Sequence, residues 1–160
     1  MKVCYAGSFD PVTNGHMDII KRASRKFDEV IVLLMENPRK HYLFSREERI
    51  ALVMDCVKEE GLSNVTVEIG EGLTVKYARK LGCDAMVRGI RAVSDYEFEL
   101  ATATANMCLD DEMETILLIA RPEYSFVSSS VVKEVASNGG EIDAFVPDLI
   151  KPRIYAKFSG

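Results

Sequence analysis

The sequence predicts an α/β fold: a single Rossmann-like, doubly wound domain with a five-stranded parallel sheet and a C-terminal helical segment. Three observations carry this reading. Five short runs, 2–6 (KVCYA), 29–36 (EVIVLLME), 64–69 (NVTVEI), 84–88 (DAMVR) and 114–120 (ETILLIA), are nearly continuously apolar and rich in Val and Ile. Such runs suit strands buried on both faces of a parallel sheet. Helical periodicity fills the gaps between them, and strand–helix alternation builds βαβ units with right-handed crossovers. The 160 residues fit one domain with one core, so 1–160 is read as a single unit.

The helices follow in order. His16, Ile20, Ala23 and Phe27 share one face of a first helix over 16–27. Ser45 and Glu48 form a capping box that opens a second helix to Glu59, with Ile50, Val53, Met54 and Val57 as its apolar stripe. Thr74, Tyr77, Ala78 and Leu81 repeat the spacing, and Gly82 stands where a helix terminates in the left-handed conformation. Tyr96, Leu100, Ala103 and Met107 make a further stripe, read as core-facing. A helix from Ser128 to Ser137 stops at Asn138-Gly139-Gly140, and a last one after Pro147 runs to Phe158 with Pro152 as an interruption.

Composition excludes several classes. Twenty Lys+Arg against 25 Asp+Glu leave a net charge of −5, which argues against a nucleic-acid binder. No apolar run reaches the roughly 20 residues of a membrane helix. The opening MKVCYAGSFDP reads as a strand entering a loop, not a secretory leader, so no membrane association and a cytoplasmic location are expected. The four cysteines, Cys4, Cys56, Cys83 and Cys108, lack metal or redox spacing and read as reduced core thiols. Asp110, Asp111, Glu112 and Glu114 also lack ligand spacing, so no protein metal site is expected.

Ligands of such folds bind beyond the carboxyl ends of the strands, near a switch in strand order. That directs attention to 7–16, 37–44, 70–74, 88–99 and 121–130. The first of these, Gly7-Ser8-Phe9-Asp10-Pro11-Val12-Thr13-Asn14-Gly15-His16, is neither a G-x-G-x-x-G fingerprint nor a P-loop. It places a Gly and a His at a helix start, where free N–H groups suit a phosphate. Ser128-Ser129-Ser130 open another helix, and one serine is enough for a cap. Arg88-Gly89-Ile90-Arg91 follow the fourth strand, and guanidinium suits phosphate. Asn37-Pro38-Arg39-Lys40 put a basic pair on the same rim, while His41 reads as a surface-loop residue.

The T-x-G-H loop resembles the HxGH-type nucleotidyltransferase signature. With GSFDPVTNGH, ENPRK, RGIRAVSDYEFE and YSFVSSSVVKE in order along the whole chain, the sequence resembles the phosphopantetheine adenylyltransferase family. The segment 88–99 is the specific part. This resemblance implies transfer of the adenylyl group of ATP to 4′-phosphopantetheine, giving 3′-dephospho-coenzyme A and pyrophosphate by in-line attack on the α-phosphate. It implies a catalytic set of His16, Lys40 and Arg88. ATP contacts are implied at Ser8, Phe9, His16, Gly89, Ile90, Arg91, Glu99 and Tyr124, Ser125, Phe126, Val127, Ser128, Ser129, Ser130. Ser8, Lys40, Thr74, Arg88 and Asn106 would touch the pantetheine substrate. Mg²⁺ is implied with ATP, coenzyme A as a product-like regulator, and a homo-oligomer, a hexamer in the family. Ala6, Thr102 and Thr104 depart from the family pattern, and Lys133 stands where superfamily relatives often carry Arg. A related transferase using another acceptor, such as nicotinate mononucleotide, and a nucleotide-sensing module without catalysis are the alternative readings.

Overall fold

The computed structural model describes residues 1–159. Five strands, β1 (Lys2–Gly7), β2 (Glu29–Met35), β3 (Val65–Gly70), β4 (Ala85–Ile90) and β5 (Glu114–Ile119), form one parallel sheet in the order β3-β2-β1-β4-β5. Between them run α1 (Asn14–Ser24), α2 (Arg46–Glu59), α3 (Thr74–Lys80) and α4 (Val93–Leu109). α5 (Ser129–Ser137) and α6 (Lys151–Ala156) follow β5. The predicted fold class is the observed one.

The period of two along a strand explains the two core layers. On β1, Val3 and Tyr5 face a layer built with Ile20, Leu52, Val132 and Ile150, drawn from α1, α2, α5 and the C-terminal segment. Cys4 and Ala6 face the other way, against Val75 and Ala78 of α3 and Met113. The C-terminal helices therefore close the core from one side. The backbone N–H of Asn14 ties that segment to α1 through the Phe145 carbonyl at 2.8 Å.

Local signals are realised where chemistry dictates them. Ser45 Oγ accepts from the Glu48 N–H at 3.2 Å, and the Glu48 carboxylate accepts from the Ser45 N–H at 2.8 Å, the expected capping box. Gly82, with φ +75°, ends α3. Pro152 does not interrupt α6; it lies in the first turn, where its missing N–H has no intrahelical partner to lose.

Two expectations fail on α4. Tyr96, Leu100 and Met107 are 44%, 49% and 53% exposed, so their stripe faces away from the core. Periodicity reports which residues share a face, not what covers it. α4 lies beside β4, β5 and α3 at the margin of the sheet, and its one buried residue is Glu99. Cys108 on the same helix is exposed, whereas Cys4, Cys56 and Cys83 are buried thiols as expected.

Candidate active site

β1 and β4 are neighbours although two other strands separate them in sequence. β1 continues to one side and β4 to the other, so their following loops diverge and leave a crevice at the carboxyl ends. A cleft of about 990 Å³ occupies this place. It is lined from all five expected segments, by Ser8 and His16, Lys40, Thr74, Arg88, and Tyr124 with the serine run. Such a volume lies at the upper end for small-molecule sites.

The first loop is locked by a cap of unusual composition. Thr13 is the N-cap of α1; its hydroxyl accepts from the His16 N–H at 3.2 Å. In return the Thr13 N–H donates to His16 Nδ1 at 3.0 Å, so His16 takes the part that Glu plays in an ordinary capping box. A ring nitrogen that accepts a backbone N–H carries no proton, which leaves the proton on Nε2 as a donor. The ring packs edge-on against Phe9 at 4.9 Å, and Phe9 packs against Tyr5 at 5.5 Å. Phe9 holds this place with φ +48°, a left-handed backbone rare for an aromatic residue. Burial pushes the His16 pKa down from 6.5 to about 4, with the charges of Arg91 and Arg88 acting in the same sense.

Arg88 and Arg91 are both on the cleft, but neither is free. Arg88 Nε and Nη2 donate to the two Glu99 oxygens at 2.8 Å each, and Nη1 donates to the Ala6 carbonyl. The fork read as available to a phosphate thus already holds a carboxylate. Glu99, an implied ATP contact, lines the cleft and is the buried partner of Arg88. Of five guanidinium hydrogens, three are used and two remain. Arg91 pairs with Asp95 and donates to the Val127 carbonyl at 2.8 Å, which links the β4 and β5 loops. Lys40, by contrast, makes no ion pair among the described residues and stands exposed on the rim. His41 lies beside it on the cleft wall, also exposed.

The three serines divide their work. Ser128 caps α5, accepting from the Val131 N–H at 3.2 Å. Ser129 donates to the Pro11 carbonyl at 2.8 Å and so ties α5 to the first loop. Ser130 is the exposed member on the cleft. Gly89, Tyr124 and Val127 also line it; Thr74 and Asn106 line the arm between α3 and α4. A Cβ at Gly89 would come within 3.3 Å of Ile19 Cγ1 on α1, closer than an ordinary contact, so the glycine lets α1 pack tightly on β4. Ile90, Ser125 and Phe126 do not line the cleft. Ile90 is buried in the sheet, Ser125 turns its hydroxyl to the Pro122 carbonyl, and Phe126 packs against Phe145.

Sequence reasoning missed four supporting residues. Asp10, 3% exposed, accepts from the Leu43 and Phe44 N–H groups at 2.8 and 2.9 Å and from Lys133 at 3.2 Å. Tyr5 lines the floor, its phenol pushed up to about 12 by burial and therefore protonated. Glu36 on the rim is held ionised by Arg46 and Arg49. Arg49 itself lies on the core side of α2. Only the Asp10-Pro11 pair carried a local signal, as a turn. Among the described residues no three His, Cys, Asp or Glu side chains converge as a metal site.

Comparison with known proteins places the chain in a family. The family model described as cytidylyltransferase-like matches residues 4–135, which sets the class, a nucleotidyltransferase. A solved structure from Vibrio parahaemolyticus superposes with a TM-score of 0.73 at 18% identity, covering 99% of this chain and 96% of that one. The nicotinic acid mononucleotide adenylyltransferase of Plasmodium falciparum superposes at 0.68 with 14% identity, covering 98% and 93%. Likeness at such low identity shows the fold alone. The phosphopantetheine adenylyltransferase of Thermotoga neapolitana is 50% identical over 157 residues, 98% of this chain and 96% of that protein. That of Finegoldia magna is 46% identical over 158 residues, 99% and 96%. The chain belongs to the phosphopantetheine adenylyltransferase family and has that activity, a step of coenzyme A biosynthesis.

The His16 geometry makes a pH prediction. Between about 4 and 6.5 the unfolded chain binds a proton at His16 that the folded chain refuses. Folding stability therefore falls as pH drops through that window, and His16 has no effect on it above 6.5. Nitrogen NMR should show His16 neutral, with the proton on Nε2, from pH 8 down to pH of about 5.5. A midpoint near 6.5, or a proton on Nδ1, contradicts the cap.

Proposed function

We propose that this cleft joins ATP and 4′-phosphopantetheine by direct displacement. A phosphate oxygen of the acceptor forms a bond to the α-phosphorus of ATP as the bond to the β-phosphate breaks. Pyrophosphate leaves, and 3′-dephospho-coenzyme A remains. The attacking phosphate has a second pKa near ~6 and is already an anion at neutral pH. No base is required to create the nucleophile. The protein's task is to hold two repelling anions in line and stabilise the charge that moves to the leaving group.

The observation that carries this reading is the neutral His16 donor at the switch point, flanked by cationic groups on the opposing loops. His16 Nε2 donates to the α-phosphate as its charge redistributes. Lys40, unpaired on its loop, takes the acceptor phosphate together with the remaining Arg88 hydrogens. Glu99 serves that contact from behind by fixing the Arg88 plane. Arg91, Ser130 and the N–H groups at the start of α5 take the β- and γ-phosphates, and Ser8 and Phe9 shape the loop under them. Gly89, Tyr124, Val127, Ser128 and Ser129 frame the nucleotide, and Ile90, Ser125 and Phe126 support them from behind the cleft wall. Thr74 and Asn106 line the path of the pantetheine arm.

Mg²⁺ accompanies ATP in this reading. Asp10, Glu36, Asp95 and Glu99 on the cleft are each already paired with a cationic side chain. The residues therefore fit an ion carried by the phosphates and its own waters rather than a protein cage. When bound, it screens the triphosphate. The chain works as one domain over 1–160 in the cytoplasm, as a homo-oligomer of hexameric size, with coenzyme A competing as a product-like regulator. Exposed apolar side chains on more than one face of α4 support association: Phe98, off the Tyr96–Leu100–Ala103–Met107 stripe, is 67% exposed and Val93 75% exposed.

A pyrophosphate-release assay across acceptor phosphates tests the reading: 4′-phosphopantetheine should be turned over, and nicotinate mononucleotide should not. In the same assay His16→Ala should lower kcat roughly 10²–10³-fold with ATP affinity nearly kept. Near-normal turnover would remove His16 from the reaction. Lys40→Ala should raise KM for 4′-phosphopantetheine and lower kcat while the ATP dissociation constant, by calorimetry, stays put. Loss of ATP affinity with unchanged acceptor KM would reverse the assignment. Lys40 is the cleaner probe, because Arg88→Ala also strands the buried Glu99 carboxylate.

A further inference from the structure

Arg49 is 1% exposed, and its Nε has no hydrogen-bond partner among the described residues. Burying a guanidinium with an unpaired N–H is costly, and an apolar residue of similar volume would serve stability as well or better. Its contacts indicate another role. Nη1 donates to the Ser8 carbonyl at 3.0 Å in the loop after β1, and Nη2 donates to Glu36 at 2.6 Å just beyond the end of β2. The guanidinium also stacks on the Tyr42 ring, 4.1 Å from its centroid. Tyr42 in turn holds the Lys40 loop closed: its hydroxyl accepts from the Asn37 N–H at 2.6 Å. One rigid, planar group thus touches both loops that face each other across the front of the cleft.

We propose that Arg49 is a positioning residue that sets the separation of these loops, and with it the approach of the Lys40-bound acceptor to the α-phosphate over the Ser8–His16 loop. The inference rests on the reading of the reaction above. Arg49 does not line the cleft and acts through Ser8 and Tyr42. Lys cannot replace its fork, since an ammonium neither stacks as a plane nor spans two acceptors in fixed geometry.

Arg49→Met tests this. Glu36 keeps Arg46 at 2.7 Å, so the variant leaves no stranded carboxylate. It should fold, hold the ATP dissociation constant within about twofold by calorimetry, and lose roughly 10–100-fold in kcat/KM for 4′-phosphopantetheine, through both a raised KM and a lowered kcat. Tyr42→Phe keeps the ring under Arg49 and removes only the hydroxyl that closes the Lys40 loop. It should raise the acceptor KM severalfold, and it decides the case if Arg49→Met does not fold. A purely structural Arg49 would lower Tm and leave acceptor KM unchanged per folded molecule in both variants, and that result overturns the proposal. Equal loss of ATP and acceptor affinity overturns it too. Failure of the unaltered enzyme to release pyrophosphate with 4′-phosphopantetheine would instead overturn the underlying reading.

Discussion

The bond from the Thr13 N–H to His16 Nδ1, 3.0 Å long, is the contact on which the reactive geometry depends. It satisfies a donor at the start of α1 that would otherwise be an orphan. It also fixes which imidazole nitrogen carries the proton and which way that proton points. In the proposed reaction the helix cap and the donor to the α-phosphate are therefore one interaction. The same bond that caps α1 leaves Nε2–H as the ring's donor, and the burial that lowers the His16 pKa keeps that donor neutral. A neutral donor suits a reaction in which charge moves between phosphates and no proton needs to be moved.

Electrostatic pairing explains the rest of the site. An acidic chain of net charge −5 must gather cations where two anionic substrates meet. It does so by neutralising most of them in advance. Arg88 is matched by Glu99, Arg91 by Asp95, Lys133 by Asp10 and Arg49 by Glu36. These pairs keep the arginines in fixed planes before substrate arrives, so little reorganisation remains at the moment of reaction. Lys40 is exposed and makes no ion pair among the described residues, which suits the phosphate-capturing role proposed for it.

What could be read from the sequence was what depends on near neighbours. The five strands, the Ser45–Glu48 box and the Gly82 stop follow from local pattern, and the rim positions follow from the rule that binding loops succeed parallel strands. Thr13–His16 was legible as the T-x-G-H signature but not as a cap, because a histidine in a capping box is an uncommon substitution for Glu. What could not be read depends on long-range partners. Glu99 seeks Arg88 from a helix on the far side of a loop, and Ser129 reaches Pro11 across 118 residues. Arg49 reads locally as a solvated helix residue because nothing near it in sequence reveals that three elements converge on it. The α4 stripe has the period of a core helix, yet its face is exposed at the sheet margin.

The proposed reaction is a single displacement at phosphorus, with both substrates held by the protein and neither attached to it. The most direct measurement uses ATP made chiral at the α-phosphorus by one sulfur atom and an oxygen isotope, with 4′-phosphopantetheine as acceptor. The configuration at phosphorus in the product is then determined. One in-line transfer between bound substrates predicts inversion. Retention would mean two displacements through a nucleophile on the protein and would contradict this account.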